Sequence, residues 1–244
     1  MWFIQPKQDY VALMPWKHAD EPAVMSWQIR ARDYNTFVAN ILFSILAAIF
    51  FSISVLFGFA WDFESMSASL LMTGVAFLIS LLITMSMTHQ TTIIVYRFTE
   101  TSAEVCSWKP QIDSVKPVLK WLSIILLPIV GVVILMDPGL AITAIGPLGI
   151  GLMAWMMGSS DEYQRMQRNS RHDEMEWKKT EIIRVWRKRN IISLTYQWKP
   201  YSKNSRYRPL THLVYCHGDE LEKRIQFFRK HLPNAKYEEG KIDI

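Results

Sequence analysis

The chain has 244 residues, of which 50% are hydrophobic and 13% are aromatic, and its Lys and Arg residues exceed its Asp and Glu residues by five. The apolar residues are concentrated in four long blocks rather than spread with helix or strand periodicity, which argues against an ordinary soluble domain. All 27 Lys and Arg residues lie before Phe37, between Thr88 and Lys120, or after Gly158. Because short loops rich in Lys and Arg stay in the cytoplasm, we predict a multi-pass inner-membrane protein with both termini inside.

Residues 1–36 form a predicted cytoplasmic juxtamembrane segment. Asp20, Glu21 and Pro22 are typical of a helix start, with a capping side chain followed by proline in the first turn. We therefore predict a helix that continues through Trp27 into the membrane. An interfacial anchor helix and a plain lead-in with interfacial aromatic residues both fit this pattern.

Two predicted transmembrane hairpins follow, at residues 37–87 and 118–158. The second contains Val118 to Met136 and Gly139 to Gly158, separated only by Asp137 and Pro138. Each apolar run is about 20 residues long, enough to cross a hydrocarbon core of about 30 Å as a helix. None of the four spans contains an ionisable residue, which favours packing helices over the substrate path of an ion-coupled carrier.

Residues 88–117 are predicted to form a cytoplasmic β-hairpin. Strands are expected at Thr92–Phe98 and Ala103–Trp108, because both runs are rich in β-branched and aromatic residues and are joined by a polar turn. An isolated hairpin is marginally stable in water, so it needs a partner sheet. We expect that partner in residues 159–244, in a joint sheet that also contains Val185 and Leu194.

Residues 159–244 are predicted to form further strands and a final amphipathic helix. The helix is expected between Asp219 and Leu232, with Asp219 as the cap and Glu222 completing a capping box. The strands are expected at these positions: His172 to Thr180, Glu181 to Arg187, Asn190 to Gln197 and His212 to His217.

The order of these elements, strands first and helix last, resembles a PH-like domain. The stretch from Tyr96 to Val105 looks like the opening hairpin of small bacterial membrane proteins with PH-like or YcxB-like domains. Glu181 to Tyr196 and Leu213 to Leu232 look like the closing strands and helix. The resemblance implies an α+β membrane protein in which four transmembrane helices accompany a cytoplasmic PH-like antiparallel sheet with a C-terminal helix. In such families this domain acts mainly as a binding or scaffolding module.

A basic and aromatic group of residues is the main predicted contact surface. A negatively charged cytoplasmic leaflet attracts each nearby Lys or Arg by on the order of 1 kcal/mol, so we expect contact with anionic lipid or with a protein partner. Nucleic acid could use the same charges together with stacking, but contact with the adjacent leaflet is the simpler explanation. A plain solvated loop surface also fits the pattern. The candidate residues are Arg184, Trp186, Arg187, Lys188, Arg189, Lys199, Lys203, Arg206, Tyr207 and Arg208.

No catalytic, cofactor or metal site is predicted. The three residues His212, Cys216 and His217 form the one metal-like cluster, but His217 should point to the opposite face of a strand from the other two. Walker, nucleophile-elbow and HExxH motifs are absent from the sequence. We therefore predict a non-enzymatic binding or scaffold protein. The alternatives are an accessory of a conjugative or envelope machine, such as a plasmid exclusion factor, a small transporter, and a membrane-bound enzyme.

Overall fold

The computed structural model describes residues 5–60, 65–136, 149, 151–153, 155–199 and 206–242. The described residues form two compact units, one from residues 5–31 and 92–242 and the other from residues 32–91. The larger unit contains two four-stranded sheets and the smaller one contains two apolar helices. The predicted α+β class is therefore confirmed.

The smaller unit consists of α1, Thr36–Ala60, and α2, Met66–Thr88, both long and apolar enough to cross a membrane. The two helices approach closely at Gly58, where an added Cβ atom would lie 1.8 Å from the Thr73 hydroxyl oxygen. Hydroxyl side chains in these helices donate to carbonyl groups of their own helix. The Ser52 hydroxyl, for example, donates to the Ala48 carbonyl at 3.0 Å. Such bonds satisfy hydroxyl groups in an apolar environment.

Four spans are not supported, because only two helices in the described residues qualify as candidate spans. The third predicted span falls in α3, Gln111–Met136, which contains Pro117 and Pro128. The fourth lies largely outside the described residues, which show helical backbone at 151–153 and 155–159. The short helix α4, Asp161–Arg168, follows and is capped by Ser160 Oγ, which accepts a bond from the backbone N–H of Tyr163.

The predicted helix after Asp20 is wrong, because this segment contains the strand β1, Met25–Ala31. Apolar Trp27 and Ile29 alternate with polar Gln28 and Arg30, and only the apolar pair is buried. This period of two places the apolar side chains on one face of a strand, whereas a helix would scatter them.

Sheet A has the strand order β1-β2-β3-β4 and is antiparallel throughout. The strands β2, Thr92–Phe98, and β3, Ala103–Trp108, have the predicted bounds and pair directly. The fourth strand, β4, is Arg171–Met175. Since β4 pairs with β3, the hairpin gains a partner strand from the C-terminal region.

Sheet B has the strand order β7-β6-β5-β8. It consists of β5, Ile182–Trp186, β6, Ile191–Trp198, β7, Arg208–Tyr215, and β8, Lys236–Glu239, which the sequence did not predict. The expected joint sheet is therefore two sheets, with Val185 and Leu194 in sheet B. A 3-10 turn at Trp177–Lys179 separates β4 from β5 and redirects the chain.

Aromatic side chains hold the two sheets together. Trp27 stacks on Tyr96 at a ring-centroid distance of 4.6 Å, and its indole N–H donates to the Tyr215 carbonyl at 3.0 Å. The Tyr96 hydroxyl donates to the Leu213 carbonyl and accepts from the Tyr215 amide. These bonds satisfy the Trp27 indole N–H and the Tyr96 hydroxyl, which the contact buries.

The last helix, α5, is Leu221–His231, within the predicted range. Its residue Phe228 is fully buried and contacts Phe98 of sheet A at 5.4 Å between ring centroids. The predicted capping box is wrong, because the N-cap is Glu220 and it makes no side-chain capping bond. The Glu220 carboxylate pairs with Arg224 instead.

Candidate functional site

Both helical insertions leave sheet A at the same end. Residue Ala31 pairs with Thr92, so the strand ends on either side of the α1–α2 pair are adjacent. Trp108 pairs with Ile93, and Ser107 pairs with Arg171, so the strand ends on either side of the second insertion lie next to them. We call this the junction end of sheet A.

Cationic side chains gather at the junction end, where α3 begins and α4 ends. Arg168 lies 3.4 Å from Asp113, and Lys116 lies 3.9 Å from Asp161, measured between nitrogen and oxygen atoms. These groups are half exposed, so the ion pairs contribute little stability and the cations stay accessible to other anions. With Arg165 they line a cavity of about 240 Å³. Sequence reasoning missed this group, although its cations directly flank an apolar run.

Two of the predicted contact residues are held by carboxylates within the domain. The Arg184 guanidinium donates two bonds to Glu238 of β8, at 3.0 and 2.7 Å. Arg187 binds Glu239 of β8 and Glu222 of α5. The bond from Arg187 lowers the pKa of Glu239 to about 2. These two arginines therefore stabilise the pairing of β8 with β5.

The remaining predicted contact residues form two groups at opposite ends of β6. Lys188 and Arg189 lie in the turn before Ile191, where Arg189 stacks over Trp186 at 5.4 Å. Trp198 pairs with Arg208 at the other end, beside Lys199, Arg206 and Tyr207. Since β6 has eight residues, about 23 Å separate the two ends. The described residues thus form two small basic surfaces instead of one, and Lys203 lies outside the described residues.

A strap of residues 5–24 covers the outer face of sheet A. Tyr10 makes an edge contact with Trp108, at 5.0 Å between ring centroids. Val11, Met14 and Trp16 pack on the cluster that surrounds Val95. Because the strap covers one face of sheet A and sheet B covers the other, every residue of β2 is buried.

Glu104 anchors the strap through a buried carboxylate. Its two oxygens accept bonds from the backbone N–H groups of Lys17, at 2.8 Å, and His18, at 3.0 Å. His172 Nε2 lies 2.8 Å away and the Arg97 guanidinium 3.8 Å away. Burial alone would raise the pKa of Glu104, but these bonds outweigh it and lower that pKa below the usual range. Glu104 therefore carries a stabilising negative charge.

A second carboxylate, Glu174, secures the strap from the exposed side. It pairs with Lys17 at 3.4 Å and with His18 Nε2 at 3.0 Å. The bond to Glu174 raises the pKa of His18, and the same bond lowers the pKa of Glu174. Glu104 and Glu174 are register partners on neighbouring strands, so their negative charges would repel each other. Lys17 and His18 of the strap contact both carboxylates and offset this repulsion.

The predicted metal-like cluster is dispersed among separate contacts. His212 stacks on Tyr196, His217 Nε2 bonds to the Gln28 carbonyl at 2.9 Å, and Cys216 is buried. Burial raises the pKa of the Cys216 thiol to about 12, so it is protonated at neutral pH. Within the described ranges, no group of three or more His, Cys, Asp or Glu residues has the arrangement of a metal site. Compared with protein-family models, curated proteins and solved structures, the chain matches none of them.

Proposed function

We propose that this chain is an integral inner-membrane scaffold whose cytoplasmic PH-like domain engages a protein partner or anionic lipid. The observation that carries the proposal is the junction end, where both insertions leave and rejoin sheet A. An insertion that starts and finishes at one end of a folded sheet must cross a bilayer an even number of times. The two candidate spans of the first insertion fit this requirement, and the charge distribution favours termini in the cytoplasm.

The sheet order supports the PH-like part of the proposal. Four antiparallel strands form sheet A, three antiparallel strands form the core of sheet B, and a helix follows them. The two insertions fall between β1 and β2 and between β3 and β4. Both are connections at a single sheet end, so they leave the strand pairing intact.

The junction end is the part of the domain best suited to anionic headgroups. Lys116, Arg165 and Arg168 line its cavity, and α3 continues from there into an apolar sequence. Each cation near an anionic leaflet contributes about 1 kcal/mol of attraction. Asp113 and Asp161 line the same cavity and offset two of the three cations, so the remaining positive charge favours anionic over neutral lipid by about 1 kcal/mol.

Topology is tested by single-cysteine labelling with a membrane-impermeant maleimide. Ser67→Cys, at the start of α2, should react in intact spheroplasts, whereas Lys109→Cys and Lys199→Cys should react only in inverted vesicles. The native thiols give little background because both are buried and burial raises the pKa of Cys106 to about 11. Labelling of Lys109→Cys and Lys199→Cys from opposite sides would overturn the proposal.

Partner engagement is tested by cross-linking in membranes, purification and native mass spectrometry. We expect a specific cross-linked protein or retained anionic lipid. Lys116→Glu with Arg165→Glu should reduce lipid retention, and Lys188→Glu with Lys199→Glu, of equal charge change, should not. A chain that purifies alone, with neither protein nor lipid bound, contradicts the scaffold role.

A further inference from the structure

A groove separates the start of β1 from α5. It has a volume of about 470 Å³. Val24, Met25 and Ser26 line one wall, and residues 220–230 of the helical segment supply the other. The wall residue Phe227 is half-buried and gives the groove an apolar surface.

The strand wall of the groove has backbone groups available for pairing. β1 is an edge strand of sheet A. Toward Ala31, side chains from other segments bond to the backbone groups of its open edge. The Gln28 carbonyl accepts from His217, and both backbone groups of Arg30 bond to the Gln5 side chain. Because alternate residues of an antiparallel strand face the same edge, the N–H and C=O of Ser26 face this edge too. Ser26 is exposed, and among the described residues its backbone groups make no hydrogen bond outside the β1–β2 pairing.

The helix wall of the groove is positively charged. Lys223 and Lys230 are exposed, and neither makes an ion pair among the residues that the structure describes. Beneath them the Arg224 guanidinium is buried, 3.8 Å from the centre of the Trp27 ring and paired with Glu220. Two unpaired ammonium groups beside an apolar side chain favour an acidic ligand that also carries apolar residues.

The groove lies at the end of sheet A away from the junction end. The row of register partners farthest from the junction end runs across all four strands. In this row Met25 pairs with Phe98, Phe98 with Ala103, and Ala103 with Met175. Ser26 is five residues along β1 from Ala31, or about 17 Å. The groove is therefore remote, along sheet A, from the strand ends that lead into the two insertions. This favours a protein segment over a lipid headgroup as its occupant.

We propose that the groove between β1 and α5 binds an extended acidic segment of a partner protein, which adds a short strand to the edge of sheet A. The backbone of Ser26 would pair with the segment, Lys223 and Lys230 would contact its carboxylates, and Phe227 would contact an apolar side chain. Strand addition gives affinity through main-chain bonds and specificity through alternate side chains. This inference rests on the proposed scaffold function and identifies the chemistry of its partner.

The test uses the full chain in nanodiscs of neutral lipid and a random library of displayed peptides about ten residues long, enough for one strand. Enriched peptides should combine Asp or Glu with alternate apolar residues. Binding of a labelled enriched peptide should weaken about tenfold in Lys223→Glu with Lys230→Glu at low salt. Ser26→Pro should also weaken it, since proline removes the edge N–H without touching the β1–β2 ladder.

The matched control is Lys7→Glu with Lys241→Glu, an equal charge change at two exposed lysines that lie outside the groove and outside the basic candidate surfaces. Binding within about threefold of the parent is expected there, below 1 kcal/mol. If binding is lost in this control but kept in Lys223→Glu with Lys230→Glu, the proposal that the groove binds the segment is overturned. The proposed scaffold role would be unaffected by that result. A library that enriches no acidic peptide also overturns the groove, whereas the cross-linking experiment tests the scaffold role separately.

Discussion

Replacing Glu104 by Gln should release the strap from sheet A. The substitution keeps the size of the side chain but removes its charge and replaces one acceptor oxygen with a donor. In the parent, both oxygens of the fully buried carboxylate accept backbone N–H bonds, from Lys17 and His18. The variant can accept only one of these, and the other N–H then faces an amide N–H.

The expected cost follows from these contacts. A hydrogen bond to a charged group contributes about 1.5–3 kcal/mol, and a buried donor left without an acceptor costs about 1–3 kcal/mol. Arg97, which is buried and lies 3.8 Å from Glu104, also loses its counter-charge. We therefore expect the strap to open more easily by about 3 kcal/mol, or about 100-fold in its opening equilibrium.

Hydrogen exchange of the full chain in nanodiscs measures this opening at the amides of Lys17 and His18. The matched control is Glu174→Gln, because Glu174 pairs with the same two residues but its side chain is 40% exposed. That variant should change protection by less than 1 kcal/mol. Equal protection in the parent and in Glu104→Gln would refute the anchoring role of the buried carboxylate.

The pH dependence of strap attachment should show two limbs. Folding lowers the pKa of Glu104 from 4.5, so its contribution is present above that value and is lost as the pH falls through the folded pKa. Contact with Glu174 raises the pKa of His18 from 6.5, so this contribution is present below 6.5 and is lost as the pH rises through the folded pKa. Attachment should be strongest between these values, and Glu104→Gln should reduce the acidic limb to the smaller part that comes from the more exposed Glu174.

Three further predictions concern the domain. Tyr96→Phe should lower the free energy of unfolding by about 1–3 kcal/mol in denaturant titrations, because the Tyr215 amide loses its acceptor, and an unchanged midpoint would exclude this bridge between the sheets. Arg187→Ala should speed hydrogen exchange in β8 and leave β2 unaffected; the effect should shrink in high salt, since the ion pairs are exposed. Cys106 and Cys216 should resist iodoacetamide at neutral pH until denaturant is added, whereas fast alkylation of the folded chain would show that the thiols are accessible.

The hairpin of β2 and β3 was the most predictable part of the fold. Its bounds agree with the prediction because β-branched and aromatic residues dominate β2 and Thr99 begins a polar turn before β3. Apolar and polar residues alternate through β1, but the capping pattern at Asp20 suggested a helix there. A local helix signal was thus given more weight than a period of two.

Two other features depend on pairing that a single sequence does not specify. β8 has four residues and no buried one, and it is stabilised in parallel pairing by Arg184 and Arg187. The basic candidate residues are close in sequence, yet β6 runs between them and separates them by its own length. Proximity along the chain therefore did not indicate proximity in space.

The insertion of residues 32–91 between β1 and β2 has a consequence for biosynthesis. During translation β1 leaves the ribosome well before its partner strand β2, so its apolar face stays uncovered while residues 32–91 are being synthesised. Such long-range pairing is slow and leaves an unpaired strand prone to aggregation. In the proposed topology, insertion of α1 and α2 into the membrane is the step that brings the two strand ends together, and a delay in that insertion should cause the sheet domain to misfold.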